Sequence, residues 1–400
     1  MPSDLHLTSA PRRRHSKTHW LLAAALCCLL ASGCSRFRPH PETEYVYVIA
    51  KQSVLRDRFA AVSNRVGEVT NGQKLEVIER GRRAIKVKAP NGAVGWIEEK
   101  AVADQSVADQ FDALQKKHAN DPVVATAKAT DDVYLHVSPG LDTDRFYRLS
   151  EGDGVSLLAR ATVPKPVSAG AALAVASDKA NSTEPPPPPV MQDWWLVRGP
   201  NGETGWVYSR LIDVTVADTL ERYAEGQHIV GGYVLATVDD PDSGVLNNGQ
   251  TVTSIPEYVA VLNSGKAGLP YDFDQIRVFI WNLKKHRYET SFRERNIAGY
   301  LPVKLFKSKD PYGKGPDAQE ELPAFSYTVL AAGAPMPMPD PKTGEIKPGE
   351  GKPAALVTKT YRLEGNLCRR LLPPDTTAPD EAHLTPELKK EKQAKGKRKY

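Results

Sequence analysis

One phrase occurs twice in this chain, as PNGAVGWI at Pro90–Ile97 and as PNGETGWV at Pro200–Val207. Upstream of each copy, Val54–Arg80 and Tyr134–Arg160 align with each other without a gap. A phrase repeated together with its own upstream context implies one small unit built twice. The upstream blocks are offset by 80 residues and the phrases by 110, so the second copy holds 30 extra residues between them. Those extras include KPVSAGAALAVASDKANSTEPPPPP, Lys165–Pro189, a composition of flexible or polyproline loops rather than of core. Within a copy, KLEVIER (Lys74–Arg80) and AIKVKA (Ala84–Ala89) alternate at period two, the mark of half-buried strands. Asn91-Gly92 and Asn201-Gly202 predict hairpin turns of the primed type, with positive φ at both central residues. Gly95 and Gly205 permit a bend or a close approach in the returning strand. Several short strands within about 60 residues make a small barrel or sandwich. An insert at a hairpin tip is tolerated, because closure cost grows only with the logarithm of loop length.

The two copies resemble the bacterial SH3 domain over residues 45–103 and 129–214. In the first copy the resemblance rests on Leu55-Arg56, Gly72-Gln73, Asn91-Gly92 and Gly95-Trp96-Ile97. In the second it rests on Leu135, Ser138-Pro139-Gly140, Gly152-Asp153, Trp194-Trp195-Leu196-Val197, Asn201-Gly202 and Gly205-Trp206-Val207. It implies two small β-barrels of about five strands, each a binding module for cell-wall peptide or glycan. The ligand-binding candidates are Trp96, Trp194, Trp195, Trp206 and Tyr208. Copy one has Ala84 and Ile85 in place of the tryptophan pair, which weakens a ligand role there. Trp96 and Trp206 have a structural alternative, filling or lidding a core so small that one ring matters. Neighbouring strand residues face opposite sides, so one of Trp194 and Trp195 is expected inside and the other exposed as a stacking platform.

The N-terminus points to an envelope address. A basic stretch, Arg12–Lys17, precedes an apolar run of twelve residues, Trp20–Ala31. A membrane span needs about 20 such residues, so residues 1–33 read as a secretion signal. Leu30-Ala31-Ser32-Gly33-Cys34 resembles the lipobox of bacterial lipoproteins, with Ala31, Ser32 and Gly33 before the lipidated Cys34. Two or more acyl chains on that cysteine give stable anchoring. Ser35 after it implies the periplasmic face of the outer membrane where the source has two membranes. Cys27 and Cys28 leave with the signal and Cys34 is lipidated, so Cys368 has no partner for an internal disulfide.

The net charge of +5 is unevenly spread. Arg12, Arg13, Arg14 and Lys17 against Asp4 give residues 1–33 a charge of +3. Seven Lys or Arg against Glu387 and Glu391 give the last fifteen residues +5, which leaves −3 for the body. An acidic body does not suit nucleic acid.

The remaining organisation follows from composition. Residues 34–44 read as a tether and 104–128 as a linker. That linker carries a helix in QSVADQFDALQKKHA, where Val107, Phe111, Leu114 and His118 recur at spacings of three and four. The inserted loop is expected over 161–192. Residues 217–372 read as an antiparallel β domain of no recognised family, opening on a helical turn at Ala217–Glu225. QIRVFIWNL (Gln275–Leu283) carries apolar rings on both faces, as a central strand covered on both sides does. Residues 373–400 read as a disordered, basic tail. DDPDSG, Asp239–Gly244, lacks the distal acid of a calcium loop and reads as a solvated turn. No HExxH or GxSxG motif is present, and only His383 follows Cys368. The fold class expected is mainly β: two small barrels, a short linker helix and an antiparallel β-rich domain. The expected function is non-catalytic binding of peptidoglycan, or alternatively of an envelope protein, without metal or cofactor. Oligomeric state stays open.

Overall fold

The computed structural model describes residues 43–166, 188–247, 249–349 and 355–384. The expected signal peptide, Ala31, Ser32, Gly33 and Cys34, the middle of the inserted loop and residues 385–400 lie outside them. The fold is mainly β, and its strands pair antiparallel.

The first sheet comprises β1 (Tyr45–Val48), β2 (Gln52–Arg56), β3 (Arg65–Thr70), β4 (Lys74–Arg80), β5 (Ala84–Lys88), β6 (Val94–Glu98) and β7 (Val102–Asp104), in the order β3-β2-β6-β5-β4-β1-β7. Its buried residues, among them Val46, Leu55, Val69, Leu75, Val87, Ile97 and Val102, form one cluster drawn from all seven strands. A sheet whose strands all supply one core must curl around it. The second sheet comprises β8 (Ala125–Ala129), β9 (Val133–His136), β10 (Arg145–Leu149), β11 (Gly154–Pro164), β12 (Met191–Arg198), β13 (Thr204–Tyr208) and β14 (Ile212–Val214). Its order is β10-β9-β13-β12-β11-β8-β14, the first order with every strand advanced by seven. Helix α1 (Gln105–Lys117) lies between the two in sequence. It sends Phe111 into the core of the second barrel, beside Phe146 and Tyr147.

The repeated phrase forms its hairpins differently from expectation. Gly92 and Gly202 have φ of +84° and +87°, but neither Asn91 nor Asn201 has positive φ. The Gly92 amide donates to the Ala89 carbonyl and the Ala89 amide to the Ala93 carbonyl. Gly199, Gly202 and Glu203 repeat this pattern. Each loop is therefore Pro-Asn-Gly, a turn closed by a left-handed glycine. Proline is the physical reason: a primed turn centred on Asn-Gly would need the preceding residue's N–H to close on Ala93 or Glu203, and proline has none, so the closing donors are Ala89 and Gly199 instead.

Strands β11 and β12 also run into the segment expected as a loop. They pair out to Pro164 and Met191, and Ala161, opposite Trp194, bridges to Glu345.

The third region begins with α2 (Asp218–Glu221) and continues through β15 (His228–Asp239), the small hairpin β16 (Leu246–Asn247) and β17 (Gln250–Thr251), β18 (Ser254–Asn263), β19 (Phe273–Asn282), β20 (Arg287–Ser308), α3 (Pro316–Gln319), β21 (Leu322–Leu330), β22 (Leu356–Glu364) and β23 (Leu367–Arg370). Its sheet has the order β15-β18-β19-β20-β21-β22-β23. As expected for a central strand, β19 puts Ile276, Val278 and Ile280 into one apolar cluster and Phe279 and Trp281 into another. RYETSFRE (Arg287–Glu294) and YLPVKLFK (Tyr300–Lys307) belong to one long strand: β20 pairs with β19 up to Gly299 and with β21 from Gly299 onward.

Two expectations are corrected here. Asp240 is not in a solvated turn. It is buried, with its Oδ2 accepting from Trp281 Nε1 at 2.7 Å and lying 2.8 Å from His286 Nδ1. Residues 373–384 are not a free tail either. Ala382 and Leu384 pack on Ala298, Tyr300 and Leu330, and the backbone bridges Ile297 to His383 and Ala331 to Glu381. Glu381 draws the segment in, because its carboxylate pairs with the buried Lys359 ammonium at 2.6 Å. Lys359 also pairs with Glu294, and a buried cation needs such partners.

Candidate functional site

The second barrel has an aromatic cavity of about 200 Å³ on the outside of its sheet, lined by Trp194, Tyr208, His136, Tyr134, Leu141, Asp131 and Asp132 among others. Strand register assembles it. Trp194 of β12 lies opposite Tyr208 of β13, and His136 of β9 opposite Trp206 of β13. The rings of Trp194 and Tyr208 are 5.7 Å apart, and His136 meets Trp194 edge-on at 5.1 Å.

Trp194 and Trp195 do take opposite faces, but neither is an exposed platform. They are 1% and 7% exposed. Trp195 fills the barrel core, while Trp194 packs with Leu158, Ala161, Leu196 and Trp206 on the other face. The outer face is covered because Leu114 of α1 and Tyr208 pack against it too. Trp194 and Tyr208 line the cavity; Trp195 and Trp206 are buried behind it. Trp96, half-buried in the first barrel, lies against Gly81.

Two of the lining residues carry polar groups that bear on what the cavity can hold. Trp194 Nε1 is buried and has no hydrogen-bond partner among the described residues. Such an unpaired N–H costs about 1–3 kcal/mol. His136 Nδ1 lies 3.0 Å from Thr143 Oγ1, whose hydroxyl is 2.8 Å from the Ser138 and Gly140 carbonyls. The threonine proton must go to a carbonyl, so the oxygen accepts from His136 Nδ1–H, and Nε2 keeps its lone pair. Burial, helped by the nearby Arg145, pulls the His136 pKa below its ordinary value and favours the neutral ring. At the rim, Arg145 covers the Tyr134 ring at 4.6 Å. Asp132 is bound by Arg148 at 2.8 Å and Lys51 at 3.4 Å, and the Arg148 hydrogen bond holds its carboxyl below the usual range. One N–H donor, one ring-nitrogen acceptor and aromatic walls suit a planar amide: a peptide bond or an acetamido group.

Tyr134, His136 and Thr143 were not singled out from the sequence, although a signal was present. At the same offset of 80, the first copy has Val54, Arg56 and Ser63. There Arg56 donates to Ser63 Oγ at 3.1 Å, so the pairing persists while the ring is lost. With Ala84 in place of Trp194 and Glu98 in place of Tyr208, the first barrel lacks the counterpart aromatic walls.

Two larger clefts, of about 370 Å³ each, are lined largely by charged side chains already paired, Arg80 with Asp104 in one and Arg369 with Glu364 and Asp310 in the other. Cys368 sits 3.6 Å from Ser291 Oγ, and burial pushes its thiol up to about 11. It is thus a protonated, weakly nucleophilic thiol at neutral pH.

No family model and no curated protein matches the chain. Among solved structures it is similar to an NlpC/P60 family protein from Bacillus cereus, at 11% identity over 63% of this chain and 99% of that one, with a TM-score of 0.20. It is also similar to NlpC2 from Trichomonas vaginalis, at 8% identity over 64% of this chain and 98% of that one, with a TM-score of 0.14. A likeness at these TM-scores carries no argument about activity.

Proposed function

We propose that this chain is a lipid-anchored envelope protein of the bacterial SH3 type, whose second barrel binds cell-wall peptide or glycan without catalysing a reaction. The anchor is Cys34, and the binding element is the cavity of Trp194, His136 and Tyr208. The observation that carries the reading is the unpaired Trp194 Nε1 beside a neutral His136 in an aromatic cavity. Wall peptides and N-acetylated sugars both present the planar amide that this pair complements. The first barrel, with Ala84 and Glu98 at the equivalent positions, supports the second and does not bind.

The test is sedimentation of the chain lacking residues 1–34 with purified cell-wall sacculi. Wild type is expected to pellet in low and high salt alike, because the contacts are uncharged. Trp194→Phe removes the donor and keeps an aromatic ring, and is expected to weaken binding roughly tenfold, the worth of about one hydrogen bond. Near-UV circular dichroism checks that the variant is folded. Absence of pelleting, or pelleting that salt abolishes in both proteins, sinks the proposal.

A further inference from the structure

The third sheet holds a second polar cluster, remote in sequence from the barrel cavity. Arg277 on β19 lies directly opposite Arg293 on β20, and Gln275 lies opposite Arg295. Like charges opposite one another destabilise an antiparallel pair, so an anion must sit among them. Glu225 supplies it. Its carboxylate accepts from Arg277 at 3.1 Å, Arg293 at 2.6 Å and Arg295 at 3.0 Å. Gln275 Oε1 accepts from the Nε of both Arg293 and Arg295, at 3.2 and 2.8 Å.

Three features show that this arrangement is incompletely satisfied. One carboxylate faces three guanidinium groups, leaving two positive charges in surplus. Gln275 Nε2 and Arg277 Nε are buried without hydrogen-bond partners among the described residues, and those two side chains are 1% and 4% exposed. Glu225 itself is held at φ +55°, followed by Gly226 at +80°. A glutamate in the left-handed region is strained, here within the turn that the Gln227 amide closes on the Ala224 carbonyl. The cluster is also open to solvent on one side, since the Arg295 side chain is half exposed. Burial, and the charge of Arg295 beside it, lower the Arg277 pKa, as expected where cations are crowded.

We propose that Arg277, Arg293 and Arg295 form a binding site for a phosphate monoester, and that Glu225 is an internal stand-in that the phosphate displaces. With Glu225 displaced, three guanidinium charges face the ligand, and a dianionic phosphate offsets two of them where the carboxylate offsets one. Arginine forks suit its oxygens. The same chemistry could be presented by a soluble phosphomonoester or by a phosphomonoester lipid headgroup.

The experiment is calorimetric titration of the chain lacking residues 1–34 with inorganic phosphate at low ionic strength. A parallel arm measures flotation with phosphatidylcholine vesicles with and without phosphatidic acid. Saturable phosphate binding is expected in wild type. Glu225→Gln removes the competing charge and is expected to tighten binding roughly tenfold, by raising the fraction of open sites. Arg295→Ala, at an exposed position that folding tolerates, is expected to abolish binding. Flotation dependent on phosphatidic acid and on Arg295 identifies a lipid source; phosphate binding without flotation identifies a soluble one. No saturable binding in either wild type or folded Glu225→Gln overturns the proposal, as does binding that Arg295→Ala leaves unchanged.

Discussion

His136 places a proton where the sequence shows only a histidine next to a strand end. Its Nδ1–H is committed to Thr143, and burial keeps the ring neutral by lowering its pKa from the ordinary 6.5. The unfolded chain therefore takes up a proton at a higher pH than the folded one does. Stability from this site is complete above about pH 6.5 and is lost as pH falls from there toward the folded pKa. His136→Gln removes that linkage. The stability difference between wild type and variant, from urea unfolding, is expected to shrink between about pH 7.5 and pH 5. A difference that stays constant over that range contradicts a buried, neutral His136. Protonation of the folded ring, which sets in only as pH falls to its lowered pKa, would remove the acceptor at Nε2, so wall binding should weaken at the acid end of that interval. None of this was legible from His136 alone. It depends on Thr143, seven residues away, and on burial under Trp194, which lies 58 residues further along the chain.

At the level of elements, the glycines of the repeated phrase have separate jobs. Gly95 and Gly205 are sites of close approach. A Cβ on Gly95 would lie 2.7 Å from Val66 and 2.9 Å from Leu55, and one on Gly205 would lie 2.7 Å from Leu135 and 3.1 Å from Phe111. Leu55 and Leu135 are equivalent in the two copies, so the phrase records one packing contact made twice. Gly205 also makes room for Phe111, which fastens α1 to the barrel. Gly92 and Gly202 are instead turn residues with positive φ, where a Cβ would meet nothing at Gly92 and only Gln115 Nε2, at 3.7 Å, at Gly202. Gly205→Ala is expected to destabilise the second barrel by about 1–3 kcal/mol through overpacking, and Gly92→Ala the first by about 1 kcal/mol through backbone strain. Equal, small effects at both sites, measured by denaturant unfolding, would refute the division. The strands themselves were legible, because period-two alternation is a local signal. The turn type was misread because Pro90 and Pro200 overrule the Asn-Gly preference. The docking of residues 380–384 was hidden because Glu381 reads as one more tail charge until Lys359 is seen buried against it.

Across the whole molecule, the described residues from Tyr45 to Leu384 form one compact unit, and its joints combine apolar packing, such as Tyr47 and Leu301 against the second barrel's core, with polar contacts. Asn71 at the tip between β3 and β4 donates to the Phe146 carbonyl at 3.0 Å, tying the first barrel to the second. The Tyr233 hydroxyl on β15 donates to the Val124 carbonyl at 2.5 Å, and the Thr162 amide to the Gly344 carbonyl at 2.8 Å, tying the second barrel to the third sheet. Arg160 is the centre of that second joint. From β11 its guanidinium donates to Asp272 Oδ1 and to the Leu269 and Tyr271 carbonyls, each at 2.8 Å, and lies 3.5 Å from Asp193. Its side chain is only 8% exposed. Removing one partner of a buried pair costs about 3–5 kcal/mol, because the charges left behind lose their compensation. Arg160→Ala would strand Asp272 and two carbonyls on the third sheet and Asp193 on the barrel. It leaves both hydrophobic cores intact, so the damage should fall on the joint. In scanning calorimetry wild type is expected to unfold the second barrel and third sheet together, and Arg160→Ala to separate them into two transitions. A single transition shifted down uniformly would mean that the apolar contacts alone hold the joint. The geometry argues otherwise, since Arg160 binds main-chain and side-chain oxygens together and an apolar contact could satisfy neither.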